Sequence, residues 1–361
     1  MGKEFQLGLF ATNSWGALTK TLAPERWMAT WENNVTAALM AEEAGLDFVL
    51  PFGVWTGLRG ESETDGYGLE VLTWAAGMLE ATERITVFGT VHTPFIHPVM
   101  AAKQCTTCDH IGNGRFGLNV VSGFNVTDFE LFGVEMLEHD ERYVYTEEWM
   151  TIVKRLWSES ERFDFDGKYF NLKGASGNPL PIGDPKIISA GSSPAGREFA
   201  AKHADFLFMY ISQVEELEQE IQTVRQLEGG GDLGLFGSCV VMCRQTSEEA
   251  EEYFQYLVHE NGDWAAADYW ESIIGGSESI PSDVLPMLRE RVISGQGIML
   301  LKGNPDEVAD QFKQLSDAGL DGMAFATPNF VDDLPIVRDE VMPRMEAIGL
   351  RIPGSGLVDS V

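Results

Sequence analysis

Cationic side chains are scarce in this sequence. Lys and Arg number 25 against 56 Asp and Glu, leaving a formal charge of −31. A surface of that sign repels a phosphate backbone, which excludes nucleic acid and anionic membrane as principal partners. The acidity reads as a solubility device suited to a saline host, where screening relieves the self-repulsion. Histidine is sparse too, at 6 residues, and none has a second ligand at a useful spacing for a metal. The four cysteines are Cys105 and Cys108 in CTTC and Cys239 and Cys243 in CVVMC. One pair falls in a helical pattern and the other in an apolar strand, not on the short loops of a zinc knuckle, so they read as core thiols. No apolar run reaches the roughly 18 residues of a membrane span. The opening MGKEFQLGLF lacks the apolar stretch of an export signal, and a cytoplasmic protein is expected. The patterns G-x-S-x-G, H-E-x-x-H and Walker A are missing, and neighbouring acids such as Glu61 and Glu63 arise by chance in so acidic a chain.

What is present is a regular alternation. The apolar runs FQLGLF, DFVLPF, RITVFGTV, RFGLNVV, KIISAG, DFLFMY, LGLFGSCVVMCRQ and GMAFAT read as strands, and helical patterns separate them. Eight strands in a strand-helix beat predict a (β/α)8 TIM barrel, with an open doubly wound sheet as the alternative. No composition break divides the chain, so residues 1–361 are expected to form one domain. Two stretches interrupt the beat. Residues 158–185 read as a small hairpin with a Pro/Gly-rich exit, and 260–303, which contain Trp264, Tyr269 and Trp270, as an ordered insertion over the barrel mouth.

The segment GNGRFG at 112–117 matches the glycine pattern of a dinucleotide loop, but its order is reversed. That loop follows a strand and opens a helix, whereas here a helix ends near Ile111 and a strand begins at Arg115. The chemistry belongs at the other end of the strand, where a barrel of this kind carries its site. Alternation in RFGLNVVSG places Gly117, Asn119 and Val121 on one face. An amide in an apolar strand must find a partner, and two readings stay open for Asn119: a bond to a neighbouring strand, or a cofactor. Thr90, ending its own strand, offers a hydroxyl and a methyl to the mouth or to a backbone carbonyl. His92 shares its face. His97 and His139 also lie near strand ends or loops, and a hydrogen-bonded structural histidine is the plain reading of all three.

At RFGLNVVSGFN, EHDERY (138–143), SAGSSPAGREFAAKHADF (189–206) and GNPDEVADQF the chain resembles the bacterial-luciferase-like flavin monooxygenases. Within them it is most similar to the group that holds the pyrimidine and dimethyl sulfone monooxygenases, and the likeness covers nearly the whole chain. The resemblance implies a homodimer or homotetramer that uses reduced FMN, supplied by an NAD(P)H-dependent flavin reductase, and O2. It places the FMN phosphate at Gly191, Ser192 and Ser193, which taken alone would read as a plain helix cap. It places Gly53, Val54, Asn119, Arg142 and Tyr143 along the flavin, with Asp128 standing where that group has Glu. Leu50, Thr90, Asn119 and Phe124 match the pocket thought to hold oxygen beside the flavin N5, where an oxygen adduct would form.

The departures bear on substrate. The alkanesulfonate members carry an Arg and a His on the strand that here presents Ser238 and Val240, and a Cys soon after the second strand, where this chain reads PFGVWTG. Without a cationic clamp, a small and largely neutral substrate is expected, either an organosulfur compound or an N-heterocyclic amide. Val54 replaces a Lys of the pyrimidine enzyme, which weakens the second choice. His92, Trp55 and Trp264 are the candidate substrate contacts. The rivals are a deazaflavin-dependent oxidoreductase on the same fold, a catalytically silent flavin-binding barrel, and a barrel hydrolase.

Overall fold

Short apolar runs bounded by caps and turns become strands, and the caps decide where each helix starts. The computed structural model describes residues 4–191, 193–211, 214–273 and 285–352. In it β1 (Gln6–Phe10), α1 (Trp31–Glu43), β2 (Phe48–Leu50), α2 (Val71–Ala81), β3 (Thr86–His92), α3 (Pro98–Ile111) and β4 (Phe116–Val121) follow in turn. Next come α4 (Val126–Phe132), α5 (His139–Ser158), an antiparallel hairpin of β5 (Phe163–Asp166) and β6 (Asn171–Ala175), then β7 (Lys186–Ser189), α6 (Pro194–His203), β8 (Phe206–Met209) and α7 (Val214–Arg225). The last third holds β9 (Gly234–Cys243), α8 (Ser247–Phe254), α9 (Trp264–Ile273), α10 (Leu285–Gly295) and β10 (Met299–Gly303). It ends with α11 (Pro305–Asp317), β11 (Gly322–Ala326), α12 (Phe330–Ile336) and α13 (Met342–Ala347). Thr30, Glu70, His97, Ser193, Thr246 and Asn304 each accept a backbone N–H at the helix they open.

Eight parallel strands close in the order β1-β2-β3-β4-β7-β8-β9-β11, with β11 pairing back to β1. These are the eight runs read as strands from the sequence, and the result is a (β/α)8 barrel rather than an open sheet. Its floor is aromatic. The rings of Phe48 and Phe236 stack at 5.4 Å, Phe206 lies 4.5 Å from Phe236, and Phe88 meets Phe48 edge-on at 5.7 Å. Four rings fit inside eight strands only because Gly8, Gly117, Gly234 and Gly322 present no side chain, and a Cβ on any of them would run into one of these rings. Large residues meet small ones across the barrel, as close packing of a layered interior demands. The four cysteines are free and buried, and burial pushes the Cys108 and Cys243 thiols up to about 12.

Two details differ from the sequence reading and a third refines it. Strand β10 lies in the expected insertion yet joins the sheet. It pairs with residues 239–243 of β9, above the part that pairs with β8, while β11 takes the other edge. Helix α4 occupies a stretch to which the sequence reading assigned no element; its 7 residues are too few to show a period, and it is set by the Asn125 cap and by left-handed Gly133. In the turn after α3, Gly112 keeps φ −82°, and Asn113 (φ 49°) and Gly114 (φ 87°) make the left-handed step. Part of the insertion, 274–284, and the extreme termini lie outside the described residues. Among the described residues no helix is long and apolar enough to cross a membrane.

The root of the insertion is tied to the barrel by a buried charge cluster. Lys20 Nζ lies 2.6 Å from Asp65, and Asp263 accepts the Ser62 N–H at 2.7 Å while its own N–H donates to the Lys20 carbonyl at 2.9 Å. Burial holds the Lys20 ammonium below its usual pKa, against the pull of Asp65 and Asp263.

Candidate functional site

Strands β3 and β4 lie in register with Thr90 beside Asn119 and His92 beside Val121. Phe88 and Gly117 point into the barrel floor, so Thr90 and Asn119, two residues further along each strand, point inward above it. Thr90 Oγ1 donates to the Pro51 carbonyl at 2.8 Å, and Asn119 Nδ2 donates to Thr90 Oγ1 at 3.2 Å. Leu50, 1% exposed, precedes that carbonyl and supplies apolar wall. The relay satisfies the hydroxyl and one amide N–H but leaves Asn119 Oδ1 buried with no partner among the described residues. A buried acceptor left alone costs a few kcal/mol, which marks this oxygen for a donor that the protein does not supply. Gly53 lies against the pair: a Cβ there would stand 2.6 Å from Thr90 Cγ2 and 2.9 Å from His92 Cε1. Thus Leu50, Gly53, Thr90 and Asn119 come together at the mouth.

A second group lies on the β4–β7 side, around a cleft of about 210 Å³ lined by Gly123, Phe124, His139, Arg142, Tyr143, Gly191 and Ser193. Ser193 caps α6, its hydroxyl accepting the Gly196 N–H at 3.2 Å. Gly191 packs on Gly196, where a Cβ would stand 2.8 Å from its Cα, and a side chain on Gly196 would meet the Tyr143 hydroxyl at 2.5 Å. Arg142 donates through Nη1 to the Gly123 carbonyl, and its Nε is buried without a partner among the described residues. The N-terminus of a ten-residue helix and a guanidinium line one cleft, an arrangement whose electrostatics suit an anion. Ser192 lies outside the described residues.

The remaining candidates separate. Asp128 is buried, and its Oδ1 accepts the Thr56 N–H at 2.9 Å and the Thr56 hydroxyl at 2.6 Å. It thereby ties the loop that carries Gly53, Val54 and Trp55 to α4, a holding role that the shorter side chain performs at a distance from the cleft. The resemblance placed Phe124 in one pocket with Thr90 and Asn119, but it is 65% exposed at the rim of the cleft. Left-handed Gly123 (φ 87°) before it and the Asn125 cap after it turn it outward. Trp55 stands edge-on to Phe132 at 5.0 Å, with Nε1 buried and unpartnered. Trp264 packs between His259, at 6.2 Å, and the Arg289 guanidinium, at 5.7 Å, in the α9–α10 layer. His97 caps α3, and His139, half exposed, pairs with Asp140. His92 is 5% exposed, and burial alone pushes its imidazole down to about 4.

Sequence reasoning missed Thr56, Thr127 and Gly196. Thr56 and Thr127 share a hydrogen bond, but 71 residues separate them and neither carries a local signal. Gly196 lay in the quoted SSPAGREF, and its glycine three residues after the capping serine was the available clue. Among the described residues no cluster of His, Cys, Asp and Glu could hold a metal ion.

The two groups suit FMN: a cleft at the α6 N-terminus that suits an anion, and an orphaned carboxamide oxygen at the mouth with the Gly53 backbone beside its Thr90 partner. Comparison with known proteins gives the chain a family. Residues 5–322 match the luciferase-like monooxygenase family. The pyrimidine monooxygenase RutA of Bradyrhizobium sp. is 33% identical over 261 residues, 69% of this chain and 71% of that protein. RutA of Acinetobacter baylyi is 28% identical over 357 residues, covering 94% of each. Among solved structures, riboflavin lyase (RcaE) superposes with a TM-score of 0.85 at 24% identity over 98% of this chain and 94% of that one. An F420-dependent secondary alcohol dehydrogenase reaches 0.70 at 17% identity, over 95% and 99%. At these identities the structural likenesses speak for fold alone.

Proposed function

This chain belongs to the luciferase-like monooxygenase family, and on that premise we propose that it is the oxygenase of a two-component system. It takes reduced FMN from a separate NAD(P)H-dependent reductase and uses O2 to oxygenate a small, largely neutral organic molecule. Bound FMN would supply the electrons for oxygen activation, and the protein supplies binding, orientation and dryness. The α6 N-terminus with Ser193, Arg142 and Tyr143 would hold the phosphate. The backbone at Gly53 and Val54 would lie along the ring, close enough because no Cβ intervenes. Asn119 and Thr90 would fix the reacting edge, and Leu50 keeps that end of the site apolar.

The single observation that carries this reading is the unpartnered Asn119 Oδ1 beside the Thr90 hydroxyl. A neutral substrate is supported by β9, whose Ser238 and Val240 follow Phe236 on its face and bring no cation. The names of the RutA relatives favour a pyrimidine or related cyclic amide over a sulfone. The F420-dependent neighbour shares the fold, and the rival to separate is a deazaflavin oxidoreductase that has no use for oxygen. Oxygen uptake with reduced FMN, with uracil and dimethyl sulfone as probes and product analysed, tests the choice. Oxygenated product from either probe is expected; tight binding of F420 with no product and no binding of FMN would overturn the reading.

A further inference from the structure

The residue at the centre of the mouth that the proposed chemistry does not use is His92. It ends β3, two residues beyond Thr90 and on the same inward face, and its neighbour in register is Val121. One ring face stacks on Phe95 at 5.7 Å, Phe95 stacks on Phe132 at 4.4 Å, and Trp55 closes the row edge-on to Phe132. The Cε1 edge of the imidazole rests against Gly53. The ring is therefore held in place by packing on a face and an edge. No protein hydrogen bond or ion pair to either ring nitrogen occurs among the described residues, and burial is the only influence on its titration.

An imidazole placed in this way is neutral at working pH and carries one N–H donor and one bare nitrogen acceptor. Neither nitrogen is bonded among the described residues, so both are open to a partner that enters the mouth. The anion cleft lies toward β4 and β7, whereas the aromatic row runs toward β2 and α4. On that side a cavity of about 460 Å³ is lined by Thr56, Arg59, Thr127, Glu130, Leu131 and Tyr269, next in the chain to Trp55 and Phe132 but not lined by His92 itself. Trp55 adds an unpartnered N–H to the same row.

We infer that His92 is a substrate-contact residue, orienting a neutral polar substrate by a hydrogen bond from its ring while the Phe95–Phe132–Trp55 row holds the ring rigid. The inference rests on the oxygenase reading for the existence of a substrate, but its test reads binding and not turnover. A packing role and a hydrogen-bonding role make opposite demands on the residue. Phe preserves the ring and its stacking, whereas Gln preserves a donor and an acceptor.

The experiment is titration of uracil into the protein loaded with oxidised FMN, followed by heat, for the wild type, His92→Phe and His92→Gln, with FMN affinity measured in parallel from flavin fluorescence. The expected result is a uracil Kd raised at least tenfold in His92→Phe, restored to within about threefold in His92→Gln, and FMN affinity within about twofold throughout. Binding retained by Phe and lost by Gln would show a packing role and overturn the inference. So would a loss of FMN affinity in His92→Phe, which would assign the ring to the flavin, and so would absence of uracil binding by the wild type. Failure of the oxygenase reading itself shows separately, as absent oxygen uptake with reduced FMN.

Discussion

Single side chains at the mouth are set by what they lack. Asn119 was legible in the sequence because an amide within FGLNVV needs a partner, and Thr90 because it ends a strand. That one would donate to the other was not legible, since 29 residues separate them and the register of two strands is a tertiary fact. His92 offered only its shared face with Thr90; its burial comes from Gly53 and Phe95, on two loops. That burial has a consequence in acid. The imidazole holds its proton only below about pH 4 in the folded protein, against 6.5 in the unfolded chain. Between those values the unfolded chain takes up a proton that the folded one refuses, so acidification removes up to about 3 kcal/mol of stability. Urea unfolding of the wild type and His92→Phe at pH 7, 6 and 5 should show the wild type losing more, by about 2 kcal/mol at pH 5; parallel losses would show that the ring titrates normally.

At the scale of elements, the strand-helix beat was legible because each barrel strand is a dense apolar run with a cap or glycine at its end. Strand β10 and helix α4 were not: five and seven residues carry no period, and β10 is recognised only by its pairing with β9. The barrel floor was equally hidden, since its phenylalanines and glycines sit on different strands. It yields a sharp expectation. Gly117→Ala drives a methyl into Phe88, and overpacking of this kind should destabilise by about 1–3 kcal/mol, read as a lower denaturation midpoint with an unchanged m-value. A neutral result would mean that the floor is loosely packed. At α6 the Ser193 cap serves two purposes. Ser193→Ala should lower stability by about 1 kcal/mol and weaken FMN at least tenfold. Unchanged FMN affinity would move the phosphate away from this helix.

The whole molecule is governed by its charge and by contacts of long range. Lys20, Asp65 and Asp263 join the loops after β1 and β2 to the root of the insertion, across 201 residues between Ser62 and Asp263. Nothing in the local sequence announces them, and Asp65 and Asp263 are lost among so many acids. The charge itself was fully legible. At −31 the folded chain repels itself, and raising salt from 0.05 M to 1 M shortens the screening length from about 14 to about 3 Å. The melting temperature should rise across that range, and a flat or falling profile would show that the acids are spaced widely enough to ignore one another.

All three scales serve one claim, that Asn119 and Thr90 form the reacting edge of a flavin site. Oxygen uptake and product formation with reduced FMN, measured for the wild type, Asn119→Ala and Thr90→Val alongside FMN binding, test it most directly. The account predicts that both variants keep FMN within a few-fold and lose product formation by at least a hundredfold, roughly 2.7 kcal/mol of transition-state stabilisation. Full oxygenation in both variants would contradict it.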